Sequence, residues 1–461
     1  QFLQKSRRSA ASASRRHRQA EPWGHAGDVK SRRGQTAATH VFSGMSFALS
    51  KHEPRRTRLA DCIRRHGGAV VAVNDFSRRY QSDPPNIDFF VQSYNCEFDD
   101  KFNEAIGARS DNTVPADYVL QCAARGRLLD VRLHALGWLG EDGDDRSEDS
   151  ALAACLASLL PAWPRPLPNL LESQCQPQCY AEFLDFPDRF QRGESPSVLR
   201  LIRIRQLGES GQVAANSDLV EFLRASTGCS VVFGSGSGSS GRDCLLTWRP
   251  AGKSLARLRV GQYDYDIGLR RRGGRAYLEA MDLIAALSDA VHNPSTESVT
   301  VALLSNGLFE RAISEPIYGR GTGDRCCVVS TASAASLNSA VDPMMSRHHL
   351  LGTSLHELLH CFGLDHCPYA SCVLNAYSDD SGLLDEASLP ALLICPVDLR
   401  KLCSIVSPDS ANTVLLSGRR LPEYFDRLAA LLSRLRLGAN ASLAEAMRDR
   451  AVAALEAIGE P

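Results

Sequence analysis

Residues 356–366 read His356-Glu357-Leu358-Leu359-His360-Cys361-Phe362-Gly363-Leu364-Asp365-His366. No other stretch restricts the fold as tightly. His356 and His360 are four apart, so a helix puts both imidazoles on one face. Leu351, Leu355, Leu358, Leu359 and Phe362 recur at helical spacing and form one apolar stripe. Gly363 lets the chain leave the helix in a left-handed conformation, and His366 then folds back toward the first two histidines. Three imidazoles with Glu357 beside them are the donor set of a zinc that keeps one position for water and lowers that water's pKa toward ~7. HExxH alone arises by accident; the fixed offsets of Gly363 and His366 make the spacing specific.

The 461 residues suggest about three domain-sized units, or one large domain with extensions. A composition 44% hydrophobic and 23% charged is that of a globular chain. The net charge of −1 gives no overall field for nucleic acid or an anionic membrane. No run nears 18 apolar residues, so no membrane span is expected, and no secretory apolar segment opens the chain. Fifteen cysteines are many and odd in number. Without a signal peptide they point to reduced thiols and metal ligation in a cytoplasmic setting rather than a disulfide scaffold.

Four segments are expected. Residues 1–60 form a disordered basic leader. Its first 44 residues carry Lys5, Arg7, Arg8, Arg15, Arg16, Arg18, Lys30, Arg32 and Arg33 against Glu21 and Asp28. They read either as an organelle transit peptide or as sequence upstream of a start at or near Met45. Residues 61–195 have no assigned role; a strand is expected at 69–73, a helix at 152–160, and Cys175 and Cys179 make an isolated CxxxC pair. Residues 196–405 carry an α/β rhythm and form the catalytic unit. Strands are expected at 198–204, 229–233, 299–304 and 326–331, helices at 217–226 and 276–291, and a Gly/Ser loop at 234–241. Residues 406–461 read as two amphipathic helices, 421–437 and 443–458, around Gly438. The fold class is α/β of the α+β kind, with a mixed sheet and helical extensions flanking the helix of the HExxH motif.

A second cluster follows at once. Cys367 adjoins His366, and Cys372, Cys395 and Cys403 come within 37 residues of it. Thiols so placed suggest a closed zinc site, although cysteine is also a common core residue. The combined pattern HExxHxxGxxHC-x4-C, followed by Cys395-Pro396 and Leu399-Arg400-Lys401-Leu402, resembles the archaemetzincins, a branch of the metzincin zinc peptidases. The match runs from about 350 to 402. The resemblance implies a metzincin-like catalytic domain with two zinc ions: a catalytic one on His356, His360 and His366 with Glu357 as base, and a structural one on four cysteines. Cys367, Cys372 and Cys395 match three of those four.

Asp398 stands where the fourth cysteine is expected, and either Asp398 or Cys403 completes the set, or the site is weak. Leu374 stands where the family has the methionine beneath the zinc, a swap that costs under ~1.5 kcal/mol. The stretch between Cys372 and Cys395 is longer than the family spacing, with Asp379, Asp380, Asp385 and Glu386 in the added loop. The function expected is hydrolysis of a peptide or protein substrate, with strand 326–331 as the edge strand that an extended peptide joins. His348 and His349 are expected to serve packing or surface. Two other readings stay open: a zinc-binding scaffold without turnover, and a zinc hydrolase of another amide or ester.

Overall fold

The computed structural model describes residues 40–72, 87–92, 113–137, 148–165, 178–184, 201–207, 213–233, 247–251, 253–260, 263–290, 299–313, 316–322, 325–331, 343–375, 391–406 and 420–457. Four short strands open the described chain: β1 (Ser46–Leu49), β2 (Ala69–Ala72), β3 (Phe89–Val91) and β4 (Thr113–Val114). They form a parallel sheet in the order β2-β1-β3-β4. Helix α1 (Arg56–Arg65) joins β1 to β2, and α2 (Ala116–Arg125) follows β4. Phe42, Phe47, Leu59, Ile63, Val91 and Tyr118 fill the core of this layer. The expected leader 1–60 is therefore corrected, because β1 is an inner strand and α1 begins at Arg56. The basic stretch 1–39 lies outside the described residues.

Three helices come next, α3 (Val131–Leu136), α4 (Glu148–Leu159) and α5 (Tyr180–Leu184). The chain then runs through β5 (Leu201–Leu207), α6 (Val213–Thr227), β6 (Ser230–Phe233), β7 (Thr247–Pro250), β8 (Leu255–Val260), β9 (Tyr263–Arg272), β10 (Arg275–Glu279) and α7 (Ala280–Ala290). Beyond them lie β11 (Val299–Leu304), β12 (Gly307–Phe309), β13 (Pro316–Ile317), β14 (Gly319–Gly321) and β15 (Cys326–Ser330). The last elements are helices α8 (Pro343–Cys361), α9 (Pro396–Ile405), α10 (Leu421–Arg434) and α11 (Gly438–Ala457). The architecture is mixed α and β, consistent with the α+β expectation.

The sheet that positions the site has the order β14-β15-β11-β5-β6, parallel except for β14 at its edge. A second sheet, β13-β12-β10-β9-β8-β7, is built around antiparallel hairpins. β11 is buried along its whole length, which explains its unbroken apolar run. Its Val299, Val301 and Leu303 join the core around α8, while Ala302 and Leu304 join the core shared with α7 and the hairpin sheet. No helix among the described residues is long and apolar enough to cross a membrane.

Four more expectations change. Residues 276–279 are strand, not helix: Gly273 and Gly274 both have positive φ (57° and 77°) and make a two-residue turn. That turn pairs Arg275–Glu279 with β9, and pairing overrides the helical periodicity. Strand 326–331 is not an edge, since β15 lies between β14 and β11. The bend between the last two helices falls at Arg436, whose φ is 63°, and Gly438 starts α11. The boundaries at 195 and 405 do not divide the core: Leu156, Ile202, Leu358, Leu399, Leu428 and Met447 belong to one buried cluster.

Candidate metal centre

Helix α8 carries His356, Glu357 and His360 in its last two turns. The stripe expected from sequence faces inward: Leu351, Leu355, Leu358, Leu359 and Phe362 are all buried. Burying each such side chain stabilises by roughly 1.5–3 kcal/mol, so the stripe anchors the helix rather than its propensity. The helix stops at Gly363, which has φ 83°. The Gly363 N–H donates to the His360 carbonyl at 3.0 Å and the Leu364 N–H to the Leu359 carbonyl at 3.1 Å. This pair of bonds is a Schellman cap, and it turns the chain so that His366 faces back.

The three histidines meet as the spacing requires. The Nε2 atoms of His360 and His366 lie 3.0 Å and 3.2 Å from His356 Nε2. The other ring nitrogens are engaged: His356 Nδ1 lies 2.8 Å from the Val373 carbonyl and His360 Nδ1 lies 2.7 Å from the Leu364 carbonyl. A carbonyl only accepts, so both Nδ1 atoms carry the proton and both Nε2 atoms present lone pairs. Burial pushes the His360 imidazole well down from its usual pKa, with the charges of His356 and His366 adding to it. Burial likewise brings His366 down to about 3, again with a contribution from His356. Lone pairs facing one another at these distances call for a cation between them. Tetrahedral zinc with Zn–N near 2.0–2.1 Å sets nitrogens ~3.3 Å apart, close to the spacing seen.

Glu357 sits on the strand side of α8. A Cβ on Gly319 would fall 2.6 Å from Glu357 Cγ, and one on Gly321 would fall 2.2 Å from the Glu357 backbone oxygen. Only glycine lets β14 approach so closely. Burial raises the Glu357 carboxyl above its usual range, opposed by His356, Arg320 and a hydrogen bond from the Gly321 N–H. Arg320, between the two glycines, is half exposed and ion-paired with Glu310 at 3.6 Å.

The second cluster is closed. Cys367, Cys372, Cys395 and Asp398 are buried, with their ligand atoms within 4.8 Å of one another. Cys367 Sγ lies 3.6 Å from Cys395 Sγ, and Asp398 Oδ2 lies 3.4 Å from Cys372 Sγ and 3.3 Å from Cys395 Sγ. Tetrahedral zinc with Zn–S near 2.3 Å separates sulfurs by ~3.8 Å, so this donor set also fits. Lys401, itself buried, places Nζ 2.8 Å from the other carboxylate oxygen, Asp398 Oδ1. Burial pushes Asp398 up to about 7, helped by Cys367 and opposed by Lys401. For Lys401 burial acts downward, but Asp398 and Cys367 outweigh it and hold its pKa up. The 2.8 Å contact between Lys401 Nζ and Asp398 Oδ1 makes the two a buried ion pair. Burial opposes the Cys367 thiolate, yet hydrogen bonds from Cys372 and Cys395 and the Lys401 charge hold that thiol well below its usual pKa.

The structure thus gathers His356, His360 and His366 in one group and Cys367, Cys372, Cys395 and Asp398 in another. Cys403 is half-buried and belongs to neither group. Leu374 is buried, and its carbonyl accepts the Cys367 N–H at 2.9 Å. His348 is buried, with Nε2 3.4 Å from Asn440 Nδ2, and His349 packs edge-on against Tyr318. Cys179 is buried in the main core, while Cys175, the Gly/Ser loop and the acidic stretch after Cys372 lie outside the described residues.

Sequence reasoning passed over Asn375, which binds three backbone groups of its own loop: it accepts the Cys372 N–H at 2.8 Å and donates to the Cys367 and Ala370 carbonyls at 2.7 and 2.9 Å. It passed over Gly319 and Gly321 as well, although the Gly-Arg-Gly triplet marks a close backbone approach.

No protein-family model and no curated protein matches the chain. Three solved structures are similar to part of it. An archaemetzincin from Archaeoglobus fulgidus, crystallised with malonate, is 16% identical with a TM-score of 0.29, over 45% of this chain and 99% of that one. An archaemetzincin from Methanopyrus kandleri is 16% identical with a TM-score of 0.31, over 46% and 97%. A zinc-dependent peptidase from Methanocorpusculum labreanum is 14% identical with a TM-score of 0.32, over 44% and 99%. The likeness is loose and covers under half of this chain.

Proposed function

We propose that the chain is a zinc-dependent metallopeptidase of the archaemetzincin kind, with Glu357 as general base. The observation that carries this reading is the convergence of three imidazole Nε2 atoms beside the buried Glu357 carboxyl. His356, His360 and His366 would hold the catalytic zinc, and Cys367, Cys372, Cys395 and Asp398 a structural one. Zinc on three nitrogens acts as a Lewis acid and leaves a position open to water.

The protein's own groups supply the rest. A Glu357 carboxyl raised by burial is a stronger base than an exposed one, and it moves a proton from water to the leaving amine. The carbonyls of Val373 and Leu364 keep two imidazoles in the tautomer that binds metal. β14 pairs with β15 on one side and with no other described strand. Its outer edge offers backbone groups to an extended peptide, which favours a peptide over another amide or an ester.

The test compares the wild type with Glu357→Gln on a mixed peptide library, with zinc content measured for both. The expected result is equal zinc with hydrolysis reduced by about 10²–10⁴ in the variant. A fully loaded wild type that cleaves nothing overturns the peptidase reading in favour of a metal-binding scaffold.

A further inference from the structure

Two reciprocal hydrogen-bonded pairs tie the metal-bearing loop to a stretch of chain far from it in sequence. Gln178 precedes α5 and is 5% exposed. Its Nε2 donates to the Gly363 carbonyl at 3.2 Å and to Asp365 Oδ2 at 3.1 Å. Its Oε1 accepts the Asp365 N–H at 3.2 Å. One side-chain amide therefore engages the residues on both sides of Leu364, the residue whose carbonyl orients His360. Asp365 is also the residue before His366. At the other end of the loop, Trp163 Nε1 donates to the Ser371 carbonyl at 2.6 Å, and the Ser371 N–H donates to the Pro164 carbonyl at 2.8 Å. Ser371 adjoins Cys372.

We infer that Gln178 is a positioning residue for the histidine site. It acts through its bonds to Gly363 and Asp365 rather than by touching metal. The loop from Gly363 to Cys372 holds one imidazole and two thiols in non-helical chain. Groups behind metal ligands set ligand orientation, and their loss costs 10–100-fold in metal affinity. A polar amide is the residue type this role needs. Leucine would fill a similar volume but has neither donor nor acceptor, whereas the amide donates to the Gly363 carbonyl and accepts the Asp365 N–H. The inference gives Gln178, which no recognised motif covers, a part in the metal centre. It rests on the proposed reading that the three histidines bind metal.

The experiment titrates metal-free full-length protein with cobalt(II) alone against a competing chelator. The thiolate charge-transfer band reports the cysteine site, and visible d–d absorption that grows without further growth of that band reports the histidine site. Gln178→Ala should weaken the histidine site by 10–100-fold, leaving the thiolate band and the far-ultraviolet circular dichroism unchanged. Gln178→Glu keeps the acceptor for the Asp365 N–H but sets a carboxylate against Asp365 and removes the donor to Gly363. It should lose at least as much affinity. Adding Asp365→Asn to Gln178→Glu returns a donor at that contact and should recover part of the loss, which a general packing role does not predict. Faster amide exchange at Asp365 in Gln178→Ala is expected whether or not metal is present.

Affinities within threefold of wild type for both single variants overturn the positioning role. If Gln178→Ala fails to fold, the double variant decides: no recovery over Gln178→Glu overturns the positioning role. A wild type whose cobalt enters only the thiol set overturns the metal reading itself, and the positioning role with it.

Discussion

The histidine set and the thiol set lie one residue apart, at His366 and Cys367, yet they are enclosed very differently. The imidazoles are half-buried beside a strand edge that no other described strand covers, whereas Cys367, Cys372, Cys395 and Asp398 are sealed in the core. The open set is made of imidazole nitrogens with the Glu357 carboxyl alongside. The closed set concentrates negative charge and carries its own cation, Lys401. A metal that performs chemistry needs an accessible position and a metal that secures a fold does not. Openness rather than ligand count therefore separates the two proposed roles.

The sharpest way to break this contrast is at the buried cation. Lys401→Met leaves Asp398 without its 2.8 Å partner, and removing one member of a buried ion pair costs about 3–5 kcal/mol. The loss should appear in chemical denaturation and as weaker thiol-site metal. A cost below ~1 kcal/mol would mean that the carboxyl is held neutral, and the difference in charge between the sets would vanish. The open set is tested at the strand. Gly321→Ala puts a methyl 2.2 Å from the Glu357 backbone oxygen, and overpacking of this kind costs about 1–3 kcal/mol. Peptide hydrolysis should fall by a larger factor than stability does, because the displaced residue is the proposed base. A variant that loses stability but keeps full turnover would separate β14 from catalysis.

The smallest effect concerns the scaffold between the two sets. His348 on α8 approaches Asn440, and Asn440 Oδ1 accepts the Leu392 N–H at 2.8 Å near the thiol loop. Burial brings the His348 pKa down from 6.5 to about 4, with His349 adding to the shift. Between those values the unfolded chain binds more protons than the folded one. The stabilisation is complete above pH ~6.5 and is lost as pH falls toward 4, with a slope of at most ~1.4 kcal/mol per pH unit from this group. His348→Gln should flatten that acid limb in denaturation curves measured at several pH values; an unchanged slope would show that the histidine is not held neutral.

The parts legible in sequence were those written locally. The stripe of Leu351, Leu355, Leu358, Leu359 and Phe362 and the four-residue histidine spacing lie within one helix, and Gly363 marks its end. The gathering of Cys367, Cys372 and Cys395 was legible through spacing and resemblance, and Asp398 through its place in that pattern. What escaped depends on distant partners. β14 is three residues long and owes its strand character to β15 and its glycines to α8. Gln178 meets its partners some 185 residues away in sequence, where no periodicity reaches. Residues 276–279 extend the helical spacing of α7 backward in sequence, and the Gly273-Gly274 turn decides for strand by pairing them with β9.

The Schellman turn at Gly363 has one more effect, which concerns the field at the site. It ends α8 with the last carbonyls of the helix beside His360, so the negative pole of the helix dipole lies toward the three imidazoles. A cation placed there gains about 0.3–1 kcal/mol from the helix itself. A protonated imidazole would gain as well, which makes the burial that keeps His360 and His366 neutral the factor that reserves this attraction for a metal.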